Sequence, residues 1–194
     1  QIAGGAGADQ LLGGSGDDTI AGGIGDDSID GGLGDDVIAG GEGADQIAGG
    51  EGADTIDAVS GDDSVLGGSG DDTILGQAGD DYLVGGLGSD SLDGGEGIDE
   101  IDYSTDAASG GEAGVTVDLS SGTATDGFGD SDTLSNIENV TATAEADHLT
   151  GSDDANIILG QAGDDVIAGR GGSDTIDGGA GIDEIDYSTD AASG

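Results

Sequence analysis

From Gly4 onward the chain repeats itself every nine residues. GGAGADQLL, GGSGDDTIA, GGIGDDSID, GGLGDDVIA, GGEGADQIA and GGEGADTID follow without a gap, and five further copies carry the pattern to Asp102. The consensus is G-G-x-G-x-D-x-U-x, with U a large aliphatic residue. A unit this short cannot bury a face of its own, so the copies must stack to make a core. In every copy the sixth residue is an acid and the eighth a hydrocarbon. The pattern predicts an all-β coil of short turns, with a thin aliphatic core and rows of carboxylates along its edges.

The sixth-position acids of this first block, residues 4–102, are Asp9, Asp18, Asp27, Asp36, Asp45, Asp54, Asp63, Asp72, Asp81, Asp90 and Asp99. The eighth-position aliphatics are Leu11, Ile20, Ile29, Ile38, Ile47, Ile56, Val65, Ile74, Leu83, Leu92 and Ile101. Ala58 and Val59 replace the leading glycines of one copy, and Gln77 replaces the second glycine of another. Glycine is expected at these places for its positive φ angles, so those turns are expected to hold a ligand more weakly.

Residues 103–141 break the period. Val115–Leu119 alternates and is followed by Ser121-Gly122, which predicts a strand or hairpin. Leu134, Ile137 and Val140 are spaced for either a short helix or irregular rungs, and rungs are favoured because Val140 falls in the aliphatic phase of the next block. The repeat resumes over 142–186, with Asp147, Asp165, Asp174 and Asp183 in the sixth position and Asn156 where another Asp belongs. Residues 76–110 match 160–194 at an offset of 84, and GIDEIDYSTDAASG stands identically at 97–110 and 181–194. Residues 187–194 therefore read as the start of a second spacer, and the whole as a segment of a longer tandem array.

The charge says what must fill the edges. Forty-four acidic residues face one arginine and no lysine, for a formal net charge of −43. Such a chain repels itself and resists collapse. Because the acids are periodic, the missing counter-charge is a bound cation. Nucleic acid is excluded as a partner, since no basic surface exists to neutralise phosphates. With no cysteine, no disulfide staples the fold. No apolar run approaches the ~20 residues of a transmembrane helix.

The spacing also says how the cation is held. A six-residue glycine-rich turn followed by a three-residue rung makes half a coil turn. Odd copies then stack on odd and even on even, at the ~4.8 Å spacing of a parallel sheet. Carboxylates and carbonyls of successive turns can share one ion. Oxygen donors in flexible geometry suit calcium, and there is no cysteine or methionine for a softer metal. A site needs two turns on the same side, which gives about nine ions in the first block and about three in the second, about a dozen Ca2+ in all. Metal binding then becomes folding free energy.

The phased glycine–aspartate array resembles the calcium-binding domains of the repeats-in-toxin (RTX) family, over about three-quarters of the chain. The resemblance implies a right-handed parallel β-roll. It also implies a bacterial protein secreted by a type I system, unfolded at low cytosolic calcium and folding outside the cell. YSTDAASGGEAGVTVDLSSGTA and DTLSNIENV are similar to spacers between such arrays in secreted enzymes and giant surface proteins.

Other readings of the same residues carry less. Fifth-position acids such as Asp17, Asp26, Asp35, Asp62, Asp71, Asp80 and Asp164 read as solvated turn residues. His148 falls on an outward position. Tyr103 and Tyr187 each follow a last rung and are expected to cover the end of the core. No nucleophile, base and acid combine into a catalytic site, so the chain reads as no enzyme. The outward row Thr19, Val37, Thr55, Thr73 and Ser91 is too mixed for a strict ice-binding threonine ladder, which leaves ice binding a minor alternative. The expected role is a calcium-stapled scaffold of a secreted surface protein, adhesin, S-layer or extracellular filament. Open strand edges favour self-association into a rod or filament. The alternative is the carboxy-terminal secretion and folding domain of a secreted protease, lipase or epimerase.

Overall fold

A computed structural model describes residues 1–106, 110–111 and 113–187. The chain divides into two compact units, Gln1–Asp99 and Glu100–Gly194.

In the first unit two parallel sheets face each other. One stacks Ile2–Ala6, Thr19–Ile24, Val37–Glu42, Thr55–Ser60, Thr73–Ala78 and Ser91–Glu96 in that order. The other stacks Gln10–Ser15, Ser28–Leu33, Gln46–Glu51, Ser64–Ser69 and Tyr82–Leu87. The register is one full coil turn, so Ile20 lies on Ile38, Ile38 on Ile56, and Ile29 on Ile47. Every strand sends its eighth-position aliphatic inward, and Leu11 through Leu92 are all buried. The seventh-position side chains alternate outward with the period of two that a strand imposes. The fold is a parallel β-roll with two nonapeptides per turn.

Two local features depart from the sequence expectation. The strands of this unit, from the second onward, are six residues long, not three, because pairing continues through the glycines: Gly23 on Gly41 and Gly32 on Gly50. The true turn shrinks to three residues. The two leading glycines also differ in what they need. The second takes a positive φ, as at Gly23 (121°). The first does not, but a Cβ on Gly31 would lie 2.5 Å from Asp36 Oδ2 and 2.5 Å from the Gly49 carbonyl. Its requirement is space, not backbone freedom.

The second unit keeps the same scheme around an insertion. Glu100–Asp102, Asn139–Thr141, Ile157–Leu159 and Thr175–Asp177 form one parallel sheet. In the other sheet Ser131–Ser135, Thr123–Thr125 and Thr116–Asp118 run as an antiparallel meander. Thr116–Asp118 then pairs in parallel with His148–Thr150, followed by Val166–Ala168 and Glu184–Asp186. Val117, Ala124, Leu134, Ile137 and Val140 are buried, so the spacer supplies core. Tyr103 is buried and donates its hydroxyl to Asp132 Oδ2 at 3.0 Å. Tyr187, expected to do the same, is exposed instead.

Candidate metal centres

Each turn must satisfy four consecutive backbone N–H groups that no strand pairs. The turn Gly43-Ala44-Asp45, with Gln46 after it, shows how. Gly43 N–H donates to the Ser60 carbonyl of the next turn (2.9 Å), and Gln46 N–H to the Asp27 carbonyl of the previous one (2.9 Å). Ala44 N–H donates back to Asp26 Oδ1 (3.1 Å), a fifth-position acid. Asp45 N–H donates forward to Asp63 Oδ1 (2.7 Å), a sixth-position acid. The two acids of a repeat therefore stitch neighbouring turns in opposite senses.

The sixth-position row repeats this contact without interruption. Nine N–H donors from Asp9 to Asp81 each meet the Oδ1 of the aspartate one turn on, at 2.7–2.9 Å. Asp27, Asp36, Asp45, Asp54, Asp63, Asp72, Asp81, Asp90 and Asp99 are buried, while Asp9 and Asp18 are half-buried. In the second unit Asp165 is buried and Asp174 and Asp183 are half-buried. They accept from Asp147, Asn156 and Asp165 N–H respectively.

The other carboxylate oxygen has no such donor. Oδ2 of Asp27, Asp36, Asp45, Asp54, Asp63, Asp72, Asp81 and Asp165 is buried without a hydrogen-bond partner. Beside it lies a carbonyl of the next turn. Asp45 Oδ2 and the Ala58 carbonyl would stand 2.6 and 2.7 Å from a Cβ on Gly40, and Asp165 Oδ2 and the Gly178 carbonyl 2.5 and 2.8 Å from one on Gly160. Two oxygens of adjacent turns converge in the same way beside Gly22, Gly31, Gly49, Gly67 and Gly76. Burying a carboxylate oxygen without a donor is costly. Arg170 offers no relief: its guanidinium donates to Ser120 Oγ and lies 3.8 Å from Asp153.

Burial pushes the Asp63 and Asp72 carboxyls up to about 7, helped by the charges of stacked neighbours and opposed by the N–H each accepts. Asp45, Asp54, Asp81 and Asp165 move in the same direction for the same first reason. Among the described residues no group of three or more His, Cys, Asp or Glu side chains is arranged to hold a metal by itself. A cation fits only as the sequence pattern implies, with backbone carbonyls completing the donor set. Those donors are all hard oxygens, which suits calcium.

Two sixth-position residues stand apart. Asp147 is buried, and both its oxygens are already engaged, by the N–H of Val115 and the hydroxyl and N–H of Thr143. It acts as an internal cap where the sequence pattern suggested a ligand. Asn156 turns its amide Nδ2 toward the Glu138 carbonyl at 2.7 Å, while its Oδ1 accepts from Ser152 N–H. Its rung closes with a neutral donor.

The fifth-position acids do more than solvate the turn. Asp17, Asp26, Asp35, Asp62, Asp71, Asp80 and Asp164 each accept the backbone N–H one turn on, at 2.9–3.2 Å. Their regular recurrence was the available signal. Their partner N–H groups could be assigned only once the turn was known to be three residues long.

The model of the RTX calcium-binding nonapeptide repeat (4 copies) matches residues 3–38, 30–65, 66–101, 126–167 and 150–185. That is well over half of the chain. The chain belongs to the RTX calcium-binding nonapeptide repeat family, and its arrays are calcium-binding β-roll repeats. No curated protein matches it. Among solved structures it is similar to the extracellular lipase LipA from Serratia marcescens, at 17% identity with a TM-score of 0.21. That alignment covers 80% of this chain and 31% of the lipase. The chain thus spans about a third of that protein's length, and a superposition this loose carries no argument.

Proposed function

We propose that the chain is a non-catalytic scaffold whose folding is switched on by calcium, part of a secreted bacterial surface protein, adhesin, S-layer or extracellular filament. The observation that carries the reading is the row of buried carboxylates, each with one oxygen on a neighbouring N–H, in which the other oxygen of Asp27, Asp36, Asp45, Asp54, Asp63, Asp72, Asp81 and Asp165 is buried without a hydrogen-bond partner. In a chain of net charge −43 this row is unfavourable without a cation and cross-links every turn with one. Asp9, Asp18, Asp27, Asp36, Asp45, Asp54, Asp63, Asp72, Asp81, Asp90, Asp99, Asp165, Asp174 and Asp183 are the proposed ligands. When bound, calcium supplies charge neutralisation and a bond between turns. The residues themselves fix the spacing, because each Oδ1 is already held on the adjacent backbone.

Low cytosolic calcium keeps such a chain extended for export, and the ~10⁻⁴–10⁻³ M range of extracellular modules folds it outside. The 84-residue internal offset supports a tandem array and, with it, a rod or filament. Circular dichroism in chelator and then in calcium tests the switch. A full β signal in chelator would sink it. Electron microscopy of the parent material with and without chelator tests the filament, and a catalytic domain directly upstream in the full gene would transfer the chain to a secreted enzyme.

A further inference from the structure

The spacer of the second unit contains a buried acidic centre that the nine-residue pattern does not predict. Asp126 is 1% exposed. Its Oδ1 accepts three backbone N–H groups, from Phe128, Gly129 and Asp130, at 3.0, 2.7 and 2.7 Å. Its Oδ2 is buried with no hydrogen-bond partner. This is the signature of the array aspartates: one oxygen anchored on backbone, the other buried and undonated.

A second carboxylate sits against the same loop. Asp106 is 2% exposed and its Oδ2 accepts Gly127 N–H at 3.0 Å. Beside Gly127 the array's arrangement recurs, since a Cβ there would stand 3.1 Å from the Ala113 carbonyl and 3.2 Å from Asp106 Oδ2. The glycine leaves room where a carboxylate and a carbonyl from different segments converge. Asp102 and Asp132 are buried as well, and the charges of Asp132, Asp106 and Asp126 all bear on the Tyr103 hydroxyl. A cavity lined by Gly110, Ala113, Gly127 and Phe128 borders the same loop.

We propose that Asp126 and Asp106, with backbone carbonyls including that of Ala113, bind one further divalent cation of the calcium type, outside the nonapeptide arrays. Several buried carboxylates around one hydroxyl call for a counter-charge, and Asp126 Oδ2, buried without a hydrogen-bond partner, is an oxygen left to meet it. The donor set is all oxygen, and the Asp126–Asp130 loop is preformed by its own side chain, so the site orders little on binding. A cation here would hold the meander onto the segment that follows Tyr103.

Terbium, a hard trivalent ion with calcium-like oxygen preference, is the probe. In a Tyr82→Phe, Tyr187→Phe background Tyr103 is the remaining tyrosine, and terbium bound beside it emits when the ring is excited. The expected result is tyrosine-sensitised emission that Asp126→Asn removes. The same substitution should lower bound calcium by one ion per chain in equilibrium dialysis, with the β signal in calcium retained. Unchanged emission and unchanged stoichiometry in folded Asp126→Asn would overturn the proposal and leave protons as the neutralising charge. Should Asp126→Asn not fold, the lone-tyrosine chain still decides, because a folded, terbium-loaded chain without sensitised emission refutes the site. Asp106→Asn provides a second variant with the same expected loss of one ion.

Discussion

Replacing Asp63 by asparagine should strengthen the metal-free roll and weaken the calcium-loaded one. The substitution keeps an oxygen for Asp45 N–H, which Asp63 Oδ1 holds at 2.7 Å, and removes the charge. Burial raises the Asp63 carboxyl from 3.8 to about 7. A shift of that size corresponds to at most about 4 kcal/mol against the ionised form. Solvent screening on so thin a coil reduces this to about 1–3 kcal/mol. The sign in pH follows from the folded-state value lying above the unfolded one. The native carboxyl favours the metal-free fold fully below 3.8 and loses that contribution as pH rises through about 7. The variant's advantage should therefore be largest above about 7 and vanish near 4. Urea unfolding followed by circular dichroism, in chelator with sulfate to populate the metal-free fold, measures it. In calcium the same variant should need a several-fold higher concentration to fold, because the two sites flanking Asp63 lose a charged donor. Equal weakening with and without calcium, or an advantage that persists at low pH, would refute the reasoning.

Val59 sits at φ 83° in a glycine position, a conformation that costs a β-branched residue about 1–3 kcal/mol. Val59→Gly should raise the stability of the calcium-loaded protein by about 1 kcal/mol after the entropy of glycine is subtracted, read as a higher urea midpoint. Asn156→Asp removes the donor to the Glu138 carbonyl, so it should lose about 1–3 kcal/mol in the sulfate-populated metal-free fold and add one ion to the calcium stoichiometry by titration calorimetry. Gly31→Ala places a methyl against Asp36 Oδ2 and the Gly49 carbonyl. It should cost about 1–3 kcal/mol and weaken calcium binding at neighbouring turns, with hydrogen exchange showing distant turns still protected.

The repeat alone determined the coil. A nine-residue period with an aliphatic at position eight admits only short stacked rungs, and the stacking of Ile20 on Ile38 follows from two copies per turn. The aspartates at position six were equally plain, since a net charge of −43 with the acids in phase demands a counter-ion. What the period could not show was the division of labour within a turn. That depends on which backbone N–H groups the strands leave unpaired, and this was settled only when the ladder ran on through the glycines and cut the turn to three residues. Only then did the fifth-position acids acquire partners, and only then did the first glycine appear as space for an oxygen pair. The exceptions are tertiary for the same reason. Asp147 and Asn156 occupy repeat positions, but Val115, Thr143 and Glu138 come from the aperiodic spacer or its edge and satisfy them there. Asp106 and Asp126 lie twenty residues apart in a stretch without period, and the meander of the second unit brings both buried carboxylates to one loop.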